Sequence, residues 1–429
     1  MKKITLFCLF FIQNYLFFAQ TSYFPPIVGN TWETTTPTSL NWCDNKIAPF
    51  YAYLEQTNTK SFIVLKDGKI VMEKYFGTFA QDSLWYWASA GKTVTSVLIG
   101  IAQDEGKLNI QDKSSKYLGK AWTSLPADKE DLITLRHQLT MTTGLDDNGD
   151  CTDAACLKYK ADAGTRWAYH NAPYTILDKV VEKASGMTFN QYYKAKIQSK
   201  IGMNGQFITL GYNNINFSNT RSMARFGLLI LNKGKWQNNQ IISQKYLEEA
   251  TNTSQNINNS YGYLWWLNGK SNAMLPTSQL VFPGSLAKDA PKDMYSALGK
   301  NGQIINIVPS MGLVMIRMGN ADGSPVPVTY NNSIWQKFNE IILCKSTSNQ
   351  DFTSENDIKI FPNPAHDRIF VQSEIDLQQA DIQVFNRFGA KQNVILNNNF
   401  IETNTFASGF YFIKIKIGTK EFVKRFLVF

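Results

Sequence analysis

Apolar and polar positions first organise at Ser61-Phe62-Ile63-Val64-Leu65 and Ile70-Val71-Met72-Glu73, two short runs separated by Lys66-Asp67-Gly68-Lys69. Asp-Gly between two such runs predicts a β-hairpin. From residue 90 to 105 the period changes. Val94, Val97, Leu98, Ile101 and Ala102 recur at three and four residues, which predicts an amphipathic helix. The stretch 114–250 carries mostly helical pattern broken by Gly and Asn. Strand pattern returns over 294–319, with Ile304, Ile305, Ile307 and Val308 and then Leu313-Val314-Met315-Ile316, and Ile334 to Leu343 predicts a closing helix. A hairpin first, helices in the middle and strands near the end describe one antiparallel sheet flanked by helices, with an inserted all-helical lobe. This is an α+β arrangement.

Both ends of the chain read differently. Residues 345–356 are polar with no period and predict a linker. Residues 357–429 hold only short strand patterns, among them Ile358–Phe361, Ile382–Phe385 and Phe422–Phe429, so a separate small β-sandwich is expected there. At the other end, Lys2-Lys3 precede the apolar run Ile4–Ile12, and Ala19 offers a cleavage point before Gln20. The run is shorter than the ~20 apolar residues that cross a bilayer. Residues 1–19 therefore read as a secretory signal peptide, which leaves 20–344 as the main domain and no transmembrane span in the mature chain.

Composition narrows the functional classes. With 44% apolar residues in 429, a sizeable core is available and global disorder is excluded. The net charge of +9 is not gathered into a basic run, which argues against a nucleic-acid partner. Three histidines and no Cys-x-x-Cys pair give no metal site, and no cofactor is expected. Removing Cys8 with the leader leaves Cys43, Cys151, Cys156 and Cys344, enough for two disulfides in an exported chain. Of the three possible connectivities we favour the short loop Cys151–Cys156 together with Cys43–Cys344, which ties the ends of the main domain.

The chemistry centres on Ser89-Ala90-Gly91-Lys92, at the start of the first strong helix. A spacing of three brings the hydroxyl and the amine together on one helical face. Serine needs a base to become a nucleophile, and a lysine can serve once burial lowers its pKa. A second copy, Ser285-Leu286-Ala287-Lys288, has no helical pattern around it and reads as loop. Tyr169-His170-Asn171 supplies a phenol and an amide, although Tyr-x-Asn also occurs at Tyr212 and Tyr330. Gly299-Lys300-Asn301-Gly302-Gln303 leads into the Ile-rich strand, where a backbone N–H can face an oxyanion.

In their order and context these motifs resemble the serine β-lactamase and penicillin-binding-protein superfamily, in its class C β-lactamase-like branch of esterases, D-amino-acid peptidases and 6-aminohexanoate-oligomer hydrolases. The resemblance runs over about residues 45–342 and includes Leu139–Leu145, Met223–Ile230, Tyr261–Trp266 and Val308-Pro309. It implies Ser89 as nucleophile, Lys92 as its partner in proton transfer and Tyr169 as general base. It implies Asn171, Lys300, Asn301 and Gly302 as substrate-binding, and the backbone N–H groups of Ser89 and Gln303 as the oxyanion hole. Asn301 stands where true β-lactamases carry Thr, a departure that weakens an antibiotic-resistance role. Lys300 would either meet a substrate carboxylate or hold Tyr169 ionised. The tail resembles a type IX secretion sorting domain through Ile360-Phe361-Pro362-Asn363-Pro364-Ala365 and Gly409-Phe410-Tyr411. That resemblance implies the type IX machinery as a partner and a secreted or cell-surface location.

The expected activity is hydrolysis of a small ester, amide or peptide through an acyl-enzyme. The alternatives are a catalytically inactive surface-binding module of the same fold and a D-amino-acid peptidase or penicillin-binding protein. A Ser-Asp-His α/β-hydrolase requires a histidine late in the domain, and His137 and His170 both come too early.

Overall fold

The computed structural model describes residues 22–149, 151–321, 326–344, 358–373, 377, 380–417 and 420–429. The leader call at 1–19 and the linker call at 345–356 lie outside these residues. Contacts divide the chain into two units, Met1–Cys344 and Lys345–Phe429.

In the first unit the principal elements are α1 (Ile47–Gln56), β1 (Thr59–Lys66), β2 (Lys69–Tyr75), α2 (Lys92–Asp104), α3 (Asn171–Ser185) and α4 (Thr220–Leu231). They are followed by β3 (Trp266–Leu267), β4 (Tyr295–Gly299), β5 (Gln303–Val308), β6 (Leu313–Gly319) and α5 (Val328–Ile342). One six-stranded antiparallel sheet forms in the order β2-β1-β6-β5-β4-β3. The Asp67-Gly68 turn joins β1 to β2 with both residues at positive φ, 49° and 85°, as a two-residue hairpin demands.

Successive side chains of a strand face opposite sides, and β1 shows what each side meets. Ser61 Oγ lies 2.6 Å from Thr220 Oγ1 at the start of α4. Phe62, the next residue, packs edge-on against Phe50 of α1 at 5.2 Å. Phe50 also meets Phe338 of α5 at 5.9 Å. The sheet is thus covered on both faces, and every residue of β5 and β6 is buried. On the α4 side, Gly227 lets helix and sheet approach closely, because a Cβ there would sit 2.5 Å from Val314 Cγ1.

Between β2 and β3 the chain leaves the sheet to build the lobe that holds α2 and α3. Helices dominate it, but the stretch read as mostly helical also contains a hairpin, Gln206–Leu210 with Asn213–Ser218, joined by the short strand Trp85–Tyr86. Its turn is set by Gly211 at φ 62°, and Phe207 packs against the rings of Phe189 and Tyr193 at 4.9 and 5.5 Å. The alternation behind this hairpin is too short to stand out from its helical surroundings. The closing helix begins at Val328, six residues before the apolar pattern shows it. Its first turns are polar because Asn331 is buried in a reciprocal amide pair with Asn306, at 2.7 and 3.1 Å.

Cys43 and Cys344 are bonded across a sequence separation of 301, and Cys151 is bonded to Cys156. The second unit holds β7 (Ile358–Phe361), β8 (Arg368–Ser373), β9 (Asp381–Asn386), β10 (Lys391–Gln392), β11 (Phe400–Glu402), β12 (Gly409–Ile417) and β13 (Lys420–Val428). They form two sheets, β7-β8-β11 and β10-β9-β12-β13, around a core that includes Ile369, Val384, Ile401, Ile413 and Phe426. Among the described residues no helix is long and apolar enough to cross a membrane.

A crosslink that closes so long a loop restricts the unfolded chain strongly. Replacing Cys43 and Cys344 together by Ala should lower stability by about 2–4 kcal/mol, read as a shift in the urea midpoint. An unchanged midpoint would show that the bond contributes nothing to the fold.

Candidate active site

Ser89 lies in a single 3-10 turn, Ala88–Gly91, that runs directly into α2 at Lys92. Ala88 holds a left-handed conformation at φ 46°, which is costly for a residue with a Cβ and persists only where its surroundings enforce it. Trp87, fully buried, anchors one side. Its Nε1 donates to Ser218 Oγ at 2.8 Å, and its backbone N–H donates to Asn216 O at 2.8 Å. From the other side comes the end of β4. A Cβ on Gly299 would lie 2.3 Å from Trp87 O and 2.9 Å from the Ala90 nitrogen, so only glycine permits this approach.

Lys92 is 3% exposed. Its Nζ donates to Ser89 Oγ at 2.9 Å and to Asn171 Oδ1 at 2.9 Å. The same nitrogen lies over the ring of Tyr174 at 4.1 Å and over that of Tyr169 at 5.1 Å. Among the described residues no acidic side chain pairs with it. Ring faces and an amide oxygen ease a buried charge only partly. Burial accordingly pulls the Lys92 pKa from 10.5 down to about 7. Tyr169 moves the opposite way. Burial raises its phenol well above the usual range, and a hydrogen bond with Ser89 pulls back only in part. Near neutral pH, then, the amine can be free of its extra proton while the phenol keeps its own.

The sheet side of the site differs in detail from the sequence expectation. Lys300–Gly302 forms a tight turn between β4 and β5, with Asn301 at φ 64°. Lys300 is exposed. Asn301 Nδ2 donates to Tyr86 Oη at 2.6 Å, so this amide is engaged within the protein. Gln303 opens β5 opposite Gly299, and its buried carboxamide donates to Gly319 O at 2.7 Å and accepts from Gly319 N–H at 3.1 Å. The backbone that presses on the Ser89 turn is that of Gly299. Arg317, fully buried in β6, locks the same turn by donating through Nη1 to Asn301 O and Gly302 O at 2.7 and 3.0 Å.

Two features escaped the sequence reading. Tyr174 sits one helical turn beyond Asn171 on α3, and that i,i+3 spacing was the available signal. Arg317 was visible as a lone charge in an apolar strand. Aromatic rings form a wall behind Tyr169, which stacks on Trp266 at 5.6 Å and meets Tyr261 edge-on at 6.3 Å. Ser285 and Lys288 are both exposed on irregular chain. His137 caps a short helix through Thr134, and His170 is buried at 5% exposure.

Comparison with known proteins adds the following. Residues 52–338 match the family described as Beta-lactamase, and residues 359–429 match the secretion system C-terminal sorting domain. The sorting domain is that of secreted or cell-surface proteins carried by the type IX route. The chain is 23% identical over 262 residues to a 6-aminohexanoate-dimer hydrolase of Paenarthrobacter ureafaciens, covering 50% of this chain and 66% of that protein. It is 26% identical over 188 residues to a teichoic acid D-alanine hydrolase of Staphylococcus aureus, covering 40% and 47%. In both cases the match spans less than two thirds of the relative's length. The structure of a penicillin-binding-protein homologue from Caulobacter crescentus shares the fold with a TM-score of 0.56 at 14% identity, covering 70% of this chain and 98% of that one.

The contact at Gly299 yields a test. Gly299→Ala should drive β4 away from the Ser89 turn and cut kcat for an activated ester at least ~10-fold, with a far-UV circular dichroism spectrum like the parent's. Unchanged turnover would mean that this approach does not shape the site.

Proposed function

The chain belongs to the beta-lactamase family, and on that premise we propose that it is an exported serine hydrolase that cleaves an ester or amide through an acyl-enzyme on Ser89. The observation that carries this reading is a serine hydroxyl 2.9 Å from the nitrogen of a buried lysine that has no acidic partner among the described residues. Nothing in a non-catalytic binder calls for that arrangement, since burying a lone amine destabilises the fold.

In the proposed cycle, neutral Lys92 takes the proton from Ser89 Oγ as that oxygen attacks the substrate carbonyl. The Oγ–C bond forms, and the carbonyl electrons move onto oxygen. Two backbone N–H groups receive this oxyanion. One belongs to Ser89. The second we assign to the end of β4 at Gly299–Lys300 rather than to Gln303, because Gly299 is the residue in contact with the nucleophile's turn. When the tetrahedral state collapses, the bond from carbon to the leaving group breaks. The Lys92 proton then passes to the departing oxygen or nitrogen, with the protonated Tyr169 phenol as relay. Water repeats the sequence in reverse and frees the acid. Asn171 orients the lysine through its Oδ1. In this cycle Tyr169 acts as a proton carrier rather than the general base that the sequence resemblance implies.

Linear substrates fit this reading best. The relatives named above are hydrolases of a 6-aminohexanoate dimer and of D-alanine on teichoic acid. The Nδ2 of Asn301 is turned to Tyr86. The exposed Lys300 ammonium at the strand end suits a substrate that carries a carboxylate.

Labelling by a fluorophosphonate probe should climb as pH passes through about 7, the value to which burial brings Lys92. Ser89→Ala should abolish labelling and hydrolysis of p-nitrophenyl acetate. Lys92→Arg, which stays charged, should label slowly at every pH. Full activity in Ser89→Ala would end this reading.

A further inference from the structure

A cavity of about 700 Å³ lies away from Ser89. It lies between the chain segment Ile27–Asn30, the start of α4 and the Gly202–Gln206 loop, and none of Ser89, Lys92, Tyr169 or Lys300 lines it. Its volume is in the range of small-molecule sites. Its ionisable lining residues are Lys194, Arg221 and Arg225, all cationic.

The three cations differ in how their charge is met. Arg221 is paired: Nε and Nη2 donate to the two oxygens of Glu73, each at 2.7 Å. Glu73 also accepts from Tyr75 Oη at 2.6 Å. Among the described residues Arg225 has no acidic partner. At 5% exposure it donates to neutral oxygens, Ile201 O at 2.9 Å and Pro26 O at 2.8 Å, with the rings of Trp32 and Trp236 at 5.2 and 5.8 Å. Burial and the neighbouring Arg221 charge lower its pKa to about 10, the mark of a cation in want of an anion. Lys194 is exposed at the rim, and none of the described ion pairs includes it. The wall here is closely fitted. Gly202, at φ 72°, leaves no room for a Cβ, which would lie 2.4 Å from Ile27 O and 2.9 Å from Arg225 Nη1. The twelve-residue helix α4 starts at the cavity, its N-cap Asn219 among the lining residues, and adds the partial positive charge of its N-terminus.

We propose that this cavity binds the oxyanion of a small polar ligand, a carboxylate or phosphate group, against Arg225, Arg221 and Lys194, separately from the Ser89 site. A fixed guanidinium pair beside a mobile ammonium matches a tetrahedral or planar oxyanion. The bound anion supplies the counter-charge that Arg225 lacks.

The test is isothermal titration calorimetry on the full chain at constant ionic strength, with inorganic phosphate and glucuronate as probes and glucose as neutral control. Saturable binding of either anion, without binding of glucose, is expected. A response to phosphate alone points to a phosphate-bearing ligand, and one to glucuronate alone to an acidic sugar. Ser89→Ala should bind as the parent does, which separates this site from the proposed hydrolase reaction. Arg225 is buried and its loss can unfold the chain, so the decisive variant is the exposed Lys194→Glu, which should weaken binding at least ~10-fold. No saturable binding of either anion, or undiminished binding by Lys194→Glu, would overturn the proposal.

Discussion

The buried amine of Lys92 is the constraint on which the rest of the site depends. An ammonium removed from water with no carboxylate beside it is unstable relative to the free amine. Among the described residues the polar and aromatic contacts of Lys92 are the oxygen of Asn171, the hydroxyl of Ser89 and two aromatic faces. A carboxylate at the Asn171 position would keep the amine charged and remove the base. An apolar residue there would leave it without orientation. The amide lies between these cases. It directs the nitrogen toward Ser89 without stabilising the charge as an acid would.

The site stands where two parts of the fold meet. Ser89 and Lys92 enter the lobe through the turn before α2, Tyr169 precedes α3 and Asn171 begins it, and Gly299 ends a strand of the sheet. Each part is fixed by packing away from the proposed chemistry: the sheet by α1, α4 and α5, the Ser89 turn by Trp87, and the turn after β4 by Arg317. The left-handed Ala88 and the absent Cβ of Gly299 are the local costs of bringing a helix start and a strand end within backbone contact. Both are tolerated because the surrounding core leaves the chain no other path.

Much of this was legible in the sequence, for identifiable reasons. The Ser89–Lys92 spacing declares a shared helical face, the Asp67-Gly68 hairpin declares its turn, and the apolar periods of α2 and the central strands declare a two-sided core. What could not be read depends on contacts between distant segments. The string Lys300-Asn301-Gly302 has the spelling of a strand motif, yet the residue that touches the Ser89 turn is Gly299, and only the β4 approach distinguishes them. The protonation state of Tyr169 follows from burial by Trp266 and Tyr261, nearly a hundred residues away in sequence. The polar first turns of α5 hide a buried Asn306–Asn331 pair, and the uncompensated charge of Arg225 appears only once Glu73 is seen to be committed to Arg221.

The most direct test of this account is the titration of Lys92 itself, followed by NMR on chain carrying 13Cε-labelled lysine, with Lys92→Arg used to assign the signal. The account predicts a midpoint near about 7, well separated from the solvent-exposed lysines. A Lys92 signal that titrates with the ordinary lysines near ~10.4 would contradict it, because the amine beside Ser89 would then be charged at neutral pH and unable to take the serine's proton.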